Sequence, residues 1–223
     1  MNSVVFRVNM SLCRIVLVLA ILVMPLVGHA KTRTDGNVPI AGLVPPIEFQ
    51  MKDAETSKAV SAADFRGKVV MLYFGYTNCP DVCPDTLYKV HEVYTRLGMD
   101  AKKVVFLFVT VDPKRDTLPE LKKYLALFDP HLIGLRGTPN QLYRLARRYR
   151  VVFSVRSSKN PEKYTVVHSA LIYVFGPHGN ARFVIPDLGL NQHPDFVAIA
   201  DNLKRLLTGK PHHDFMAWIA RFG

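Results

Sequence analysis

The sequence predicts an α/β protein with a mixed central sheet flanked by helices, and three observations carry that reading. Two continuous apolar runs, Lys68 to Phe74 and Val104 to Val111, have the β-branched and aromatic content of strands buried on both faces. A helical segment follows each run. The last third of the chain then shifts to strand and hairpin signals. The 223 residues suffice for one domain with a sizeable core. A composition 49% hydrophobic and 21% charged is that of a globular chain, and no repeat of fixed period or low-complexity tract interrupts it.

The first thirty residues differ from the rest. Arg7 and Arg14 are their only charges, an apolar run extends from Ile15 to Val27, and Gly28-His29-Ala30 follows. This order reads as an export signal, either cleaved or retained as a membrane anchor. The apolar run is shorter than the roughly 20 residues that a spanning helix needs. Cys13 has Leu12 before it, which does not fit a lipid-attachment site, and it belongs to the signal. Residues 31–46 are rich in Gly, Pro and polar side chains and read as a linker, so the domain is placed at 47–208 with a tail at 209–223.

Along the domain, Gln50 to Asp64 reads as a small hairpin feeding a turn at Arg66-Gly67. After the first buried strand, Gly75 to Asp85 is a turn opening a helix. Asn78 is the expected cap, Pro80 and Pro84 suit the first turn, and Asp81 and Asp85 complement the positive helix end. That helix should run to Leu97 and stop at Gly98. Beyond the second buried strand, Leu118 to Phe128 is helical, with Asp129-Pro130 ending it. Leu132 to Arg136 is a short strand, and Thr138-Pro139 starts a basic helix reaching Arg148. Val151 to Val155 and Ala170 to Phe175 are strands, Gly176 to Gly179 turns into a strand at Ala181 to Ile185, and the last helix spans Pro194 to Leu207.

The net charge is +11, and loss of Arg7 and Arg14 with the signal takes it to +9. The basic residues are spread along helical segments without interleaved aromatics, which argues against nucleic acid and for a basic surface suited to an anionic membrane or an acidic partner. The signal removed, two cysteines remain, Cys79 and Cys83. A disulfide between them closes a tiny loop and stabilises little in the chain-entropy model. At i and i+4 in the first turn of a helix they share a face, and the helix N-terminus should lower both thiol pKa values. Such a pair suits a soft metal, Cu(I) foremost, or reversible disulfide formation, and the spacing alone does not choose between them. His168, in Tyr164-Thr-Val-Val-His-Ser169 ahead of an apolar strand, is the candidate third ligand, since imidazole accommodates Cu(II) as well. Asp112, Arg115 and Asp116 read as a solvated charged turn. The tail carries His212, His213, Phe215, Met216, Trp218 and Phe222 and reads as packing or membrane contact.

Tyr73-Phe-Gly-Tyr-Thr-Asn-Cys-Pro-Asp-Val-Cys-Pro-Asp-Thr-Leu87 closely resembles the SCO/SenC family of copper-delivery proteins. The similarity continues through Thr110-Val-Asp-Pro-Lys-Arg-Asp-Thr117 and Ile133-Gly-Leu-Arg-Gly-Thr138 to Tyr164, His168 and Gly176-Pro-His-Gly179, and spans Pro46 to Leu207. The resemblance implies a thioredoxin-like domain, periplasmic and exported or anchored to the inner membrane, or the mitochondrial equivalent. It implies one copper, Cu(I) or Cu(II), held by Cys79, Cys83 and His168, and a metallochaperone role in building the binuclear copper centre of cytochrome c oxidase. Delivery of copper to the copper-site subunit, or reduction of its cysteines through a redox disulfide between Cys79 and Cys83, are both implied, with other periplasmic copper chaperones or thiol reductases as further partners. Family members usually have Asp immediately before the ligand His, and this chain has Val167; the metal affinity and its redox tuning are what that departure touches. The competing readings are a cell-envelope thiol-disulfide oxidoreductase and a peroxidase of the same fold. The peroxidase pattern around Cys79 is missing, and a dithiol oxidoreductase has no use for His168.

Overall fold

Residues 69–75 and 104–110 form the centre of the sheet because no side chain in either run asks for water. The computed structural model describes residues 37–156, 164–186, 188 and 194–209. The strands β4 (Val69–Gly75) and β5 (Val104–Thr110) are buried at every position. They pair in parallel from Val69↔Val104 to Gly75↔Thr110. On the far side of β5, β6 (Leu132–Arg136) is also parallel, while β9 (Ile172–Phe175) lies antiparallel to β4.

The sheet widens outward from this core. A hairpin joins β9 to β10 (Ala181–Ile185), and β1 (Val38–Pro39) covers the outer edge of β10. At the other side β2 (Gln50–Asp53) pairs with β6 and β3 (Ala59–Ser61) is outermost. The eight-stranded order is β1-β10-β9-β4-β5-β6-β2-β3. A separate two-stranded ribbon consists of β7 (Phe153–Arg156) and β8 (Thr165–His168). Parallel neighbours need crossover connections, and two helices provide them. They are α1 (Val82–Leu97), between β4 and β5, and α2 (Leu118–Leu125), between β5 and β6.

The helices are fixed by ordinary sequence signals. In α1 the residues Cys83, Leu87, Val90, Tyr94 and Leu97 recur three or four apart and are buried. Gly98 ends it at φ 58, a conformation that suits glycine. Thr117 caps α2 by accepting from the Glu120 N–H, with Pro119 in the first turn. Thr138 and Gln141 form a reciprocal capping box at the start of α3 (Pro139–Arg148). Asp195 caps α4 (Phe196–Leu207), which packs against α1 where the Arg96 guanidinium lies 4.9 Å from the Phe196 ring centroid.

The structure departs from the expected elements in several places, among them the last helix, which starts at Phe196 and not at Pro194. Val38–Pro39, within the stretch read as a linker, is a strand. The N-cap position of α1 is Asp81, not Asn78, so Cys79 and Pro80 precede the helix. The second helix ends at Leu125, three residues before the expected Phe128, in a turn of successive short-range backbone bonds. The strand expected from Val151 starts at Phe153 and belongs to the ribbon, whose second strand, β8, was not foreseen. The strand expected from Ala170 starts at Ile172. The signal at 1–30, Cys13 and the tail from His212 to Phe222 lie outside the described residues. No helix among the described residues is long and apolar enough to cross a membrane.

Candidate metal centre

Strand β4 delivers the site loop. At its end Gly75 admits no side chain: a Cβ there would stand 2.7 Å from the Phe108 ring. The chain then turns, with the Cys79 N–H donating to the Tyr76 carbonyl at 3.2 Å, and enters α1. Asp116 pins this loop from below. It is fully buried and accepts from the Thr77 hydroxyl at 2.6 Å, the Thr77 N–H at 3.1 Å and the Thr110 hydroxyl at 2.6 Å. Burial raises the Asp116 pKa, and those donors oppose the rise. The turn read as solvated is therefore an internal network, since Asp112 is only 4% exposed as well.

Cys79 sits half-buried in the loop, and Cys83, at the second helical residue, is wholly buried. Both are free thiols. The Cys83 N–H points at the Cys79 sulfur, 3.4 Å away. His168 arrives at the last position of β8, its Nε2 3.3 Å from the Cys83 sulfur. Its Nδ1 faces the Ser169 carbonyl at 3.1 Å. A carbonyl only accepts, so Nδ1 carries the proton and the Nε2 lone pair is left facing the sulfurs. The two sulfurs and a ring nitrogen lie within 4.8 Å of one another, and no other cluster of this kind occurs among the described residues.

The two thiols titrate apart, whereas the sequence led us to expect both to fall. Cys79 is lowered to about 4, chiefly because the Cys83 thiol donates to its sulfur, while burial opposes the fall. Cys83 is pushed up, first by that same bond and then by burial beside the Cys79 charge. One proton stays on the inner sulfur and the outer sulfur is a thiolate. The pair is at once a soft donor and a nucleophile.

Aromatic side chains wall the centre. The rings of Tyr73 and Tyr76 meet the imidazole edge-on, with centroids 6.0 and 5.7 Å away. The Tyr73 hydroxyl donates to the Cys83 sulfur at 3.5 Å. The Tyr124 hydroxyl is buried without a partner among the described residues, and burial together with the charge of the cysteines raises its pKa. Sequence reasoning passed over these tyrosines. Their signal is a hydroxyl inside an otherwise apolar strand or helix face, which must find a partner when buried. Val167, where the family pattern has Asp, is 45% exposed; its partner across the ribbon is Ser154.

The SCO1/SenC family model matches residues 46–207. The chain belongs to the SCO1/SenC family. Solved structures with copper bound are similar: ScoI of Bradyrhizobium japonicum is 38% identical, with a TM-score of 0.64 over 73% of this chain and 99% of that one. ScoI of Arabidopsis thaliana is 31% identical, with a TM-score of 0.65 over 74% and 99%. The fold of this SCO1/SenC chain is accordingly thioredoxin-like, as the resemblance implied. A bovine mitochondrial SCO2 homolog is 44% identical over 119 residues, 52% of this chain. The match spans 45% of that protein, less than half its length.

Proposed function

We propose that this SCO1/SenC protein is a copper metallochaperone of the cell envelope, serving assembly of the binuclear copper centre of cytochrome c oxidase. One observation carries the reading: two sulfurs and an imidazole nitrogen whose lone pair faces them lie within 4.8 Å of one another. The donor set fits copper, since thiolates favour Cu(I) and imidazole adds tolerance of Cu(II). Copper-bound relatives with this fold support the same assignment.

Cys79, Cys83 and His168 hold the metal. Cys79 is ready as a thiolate, while Cys83 must give up its proton, so binding releases a proton and strengthens as pH rises. Cys79, less deeply buried than Cys83, is the sulfur an incoming ligand of the copper-site subunit reaches first, and ligand exchange starts there. Residues 1–30 direct export to the periplasm, where the domain works free or anchored to the inner membrane.

Titration of the full chain with Cu(I) under a competing chelator tests the reading. We expect one copper per chain, loss of affinity by orders of magnitude in Cys79→Ala and His168→Ala, and protection of both thiols from alkylation by bound copper. Parental affinity in His168→Ala would refute the three-ligand site.

A specific observation favours a second reading, reduction of partner cysteines. The Cys79 thiolate attacks a partner disulfide, forming a mixed disulfide and releasing one partner thiol. Cys83 then loses its proton, attacks the Cys79 sulfur and releases the second thiol, leaving Cys79–Cys83 oxidised by two electrons. The Cys83 N–H against the Cys79 sulfur shows how near the two residues stand.

A further inference from the structure

His168 does not hang from the sheet that positions the cysteines. Among the described residues, strand β8 pairs with β7 alone in a two-stranded ribbon, and that ribbon shares no ladder with the eight-stranded sheet. The reach of the imidazole toward the sulfurs is therefore set by the short link through residues 169–171 to β9 and by side chains that tie the ribbon down. One tie is the Val166 N–H donating to the Tyr76 hydroxyl at 3.2 Å. Others converge on Tyr164, the residue just before β8.

The Tyr164 hydroxyl donates to Asp112 Oδ1 at 2.6 Å. Arg115 donates from Nη1 to the Tyr164 carbonyl at 3.0 Å and from Nε to Asp112 Oδ2 at 2.5 Å. Its guanidinium also lies 3.6 Å from the Tyr164 ring centroid, in cation–π contact. Asp112 is itself fixed at the end of β5, its N–H donating to the Thr110 hydroxyl at 2.9 Å. A closed ring of three side chains thus joins the centre of the sheet to the start of β8, four residues before His168. The remaining nitrogen of the guanidinium, Nη2, is buried with no partner among the described residues. An orphaned donor costs free energy in the closed arrangement that water would recover on opening.

We propose that Asp112, Arg115 and Tyr164 are positioning residues that form a releasable latch, holding His168 against the two sulfurs and letting the imidazole withdraw when it opens. The latch deepens the copper reading and rests on it. Closed, it presents three donors; open, it leaves the two sulfurs, the softer set that favours Cu(I) and that a receiving protein can share.

The test uses the full chain with Arg115→Gln and Tyr164→Phe, each alone and each combined with His168→Ala. Proton NMR of the copper-free chain should show ring-to-ring contacts between His168 and Tyr76, whose centroids are 5.7 Å apart. Both latch variants should lose those contacts. Copper affinity should fall about 10- to 100-fold, the range typical of groups that orient a metal ligand. In the His168→Ala background neither variant should lower affinity further, because the ligand being positioned is gone. Unchanged ring contacts overturn the latch, as does an equal loss of affinity in both backgrounds, which marks the three residues as a fold element only. Tyr164→Phe keeps the ring and the Asp112–Arg115 pair, so the question stays decidable if Arg115→Gln does not fold. Should His168→Ala bind copper like the parent, the three-ligand reading fails, and the ring contacts in the copper-free chain still decide the latch.

Discussion

At the scale of single residues, the cysteine pair shows how one environment makes two different sulfurs. Cys79 is lowered to about 4 because the neighbouring thiol donates to it, and Cys83 is raised because it is the donor and is buried. The sign is direct: lowering the pH from 8 to 5 leaves Cys79 above its pKa and therefore still a thiolate. Alkylation of Cys79 in the copper-free chain should stay nearly constant over that range, whereas a cysteine of ordinary pKa, about 8.5, would slow by orders of magnitude. Mass spectrometry after a timed iodoacetamide pulse checks this, and Cys83 should remain largely unlabelled. The sequence showed the helix tip and so a reason for both thiols to fall. It could not show that the inner thiol would hydrogen-bond to the outer sulfur. Gly75 makes a second residue-scale prediction. Its missing Cβ is what lets Phe108 pass, so Gly75→Ala should cost about 1–3 kcal/mol of stability in chemical denaturation, the range for overpacking a core.

Among the elements, caps and crossovers were the most legible parts because their signals are local. Thr138-Pro139 announced α3, and Thr138 accepts the Gln141 N–H; Thr117 accepts the Glu120 N–H in the same way at the start of α2, a cap that the reading of the sequence did not name. Thr138→Ala removes the side-chain half of the capping box and should cost about 1 kcal/mol in thermal unfolding, with copper affinity unchanged. The start of α1 was misplaced because Asn78 has the right side chain in the wrong fold context. Its amide is turned toward the Thr77 hydroxyl, which Asp116 in turn holds, and the helix begins after Asp81. The ribbon was only half seen for a related reason. The four residues of β8 carry no long apolar run, and their alternation of buried Val166 with exposed neighbours is too short to stand out.

On the scale of the whole molecule, stability is concentrated in the strands that were easiest to read. Strands β4 and β5 are buried at every residue, so hydrogen exchange of their amides should require global unfolding. Those of β7 and β8, in an outlying ribbon with Ser154, Val155 and Arg156 exposed, should exchange orders of magnitude faster through local opening. Equal protection of both groups would mean that the ribbon belongs to the same cooperative unit. A titrating contact operates at the same scale. Asp129 accepts from His91 at 2.8 Å and from His131 at 2.6 Å, tying α1 to the loop before β6. Burial raises its pKa, but the His131 N–H and the two imidazoles outweigh that and lower it. A lowered carboxylate stabilises fully above its ordinary pKa of about 4 and loses that contribution as pH falls through the lower folded value. Asp129→Asn should therefore melt earlier than the parent at pH 7, with the gap closing in strong acid. The edge strand β1 has a consequence for how this protein is handled. Val38 and Pro39 lie along β10 at the margin of the sheet, and proline has no N–H to offer a further strand. The two residues work as a selvedge. A chain trimmed past Pro39 would bare the β10 backbone to its own copies, and such a product should self-associate by strand addition while its centre of sulfur and imidazole is still intact.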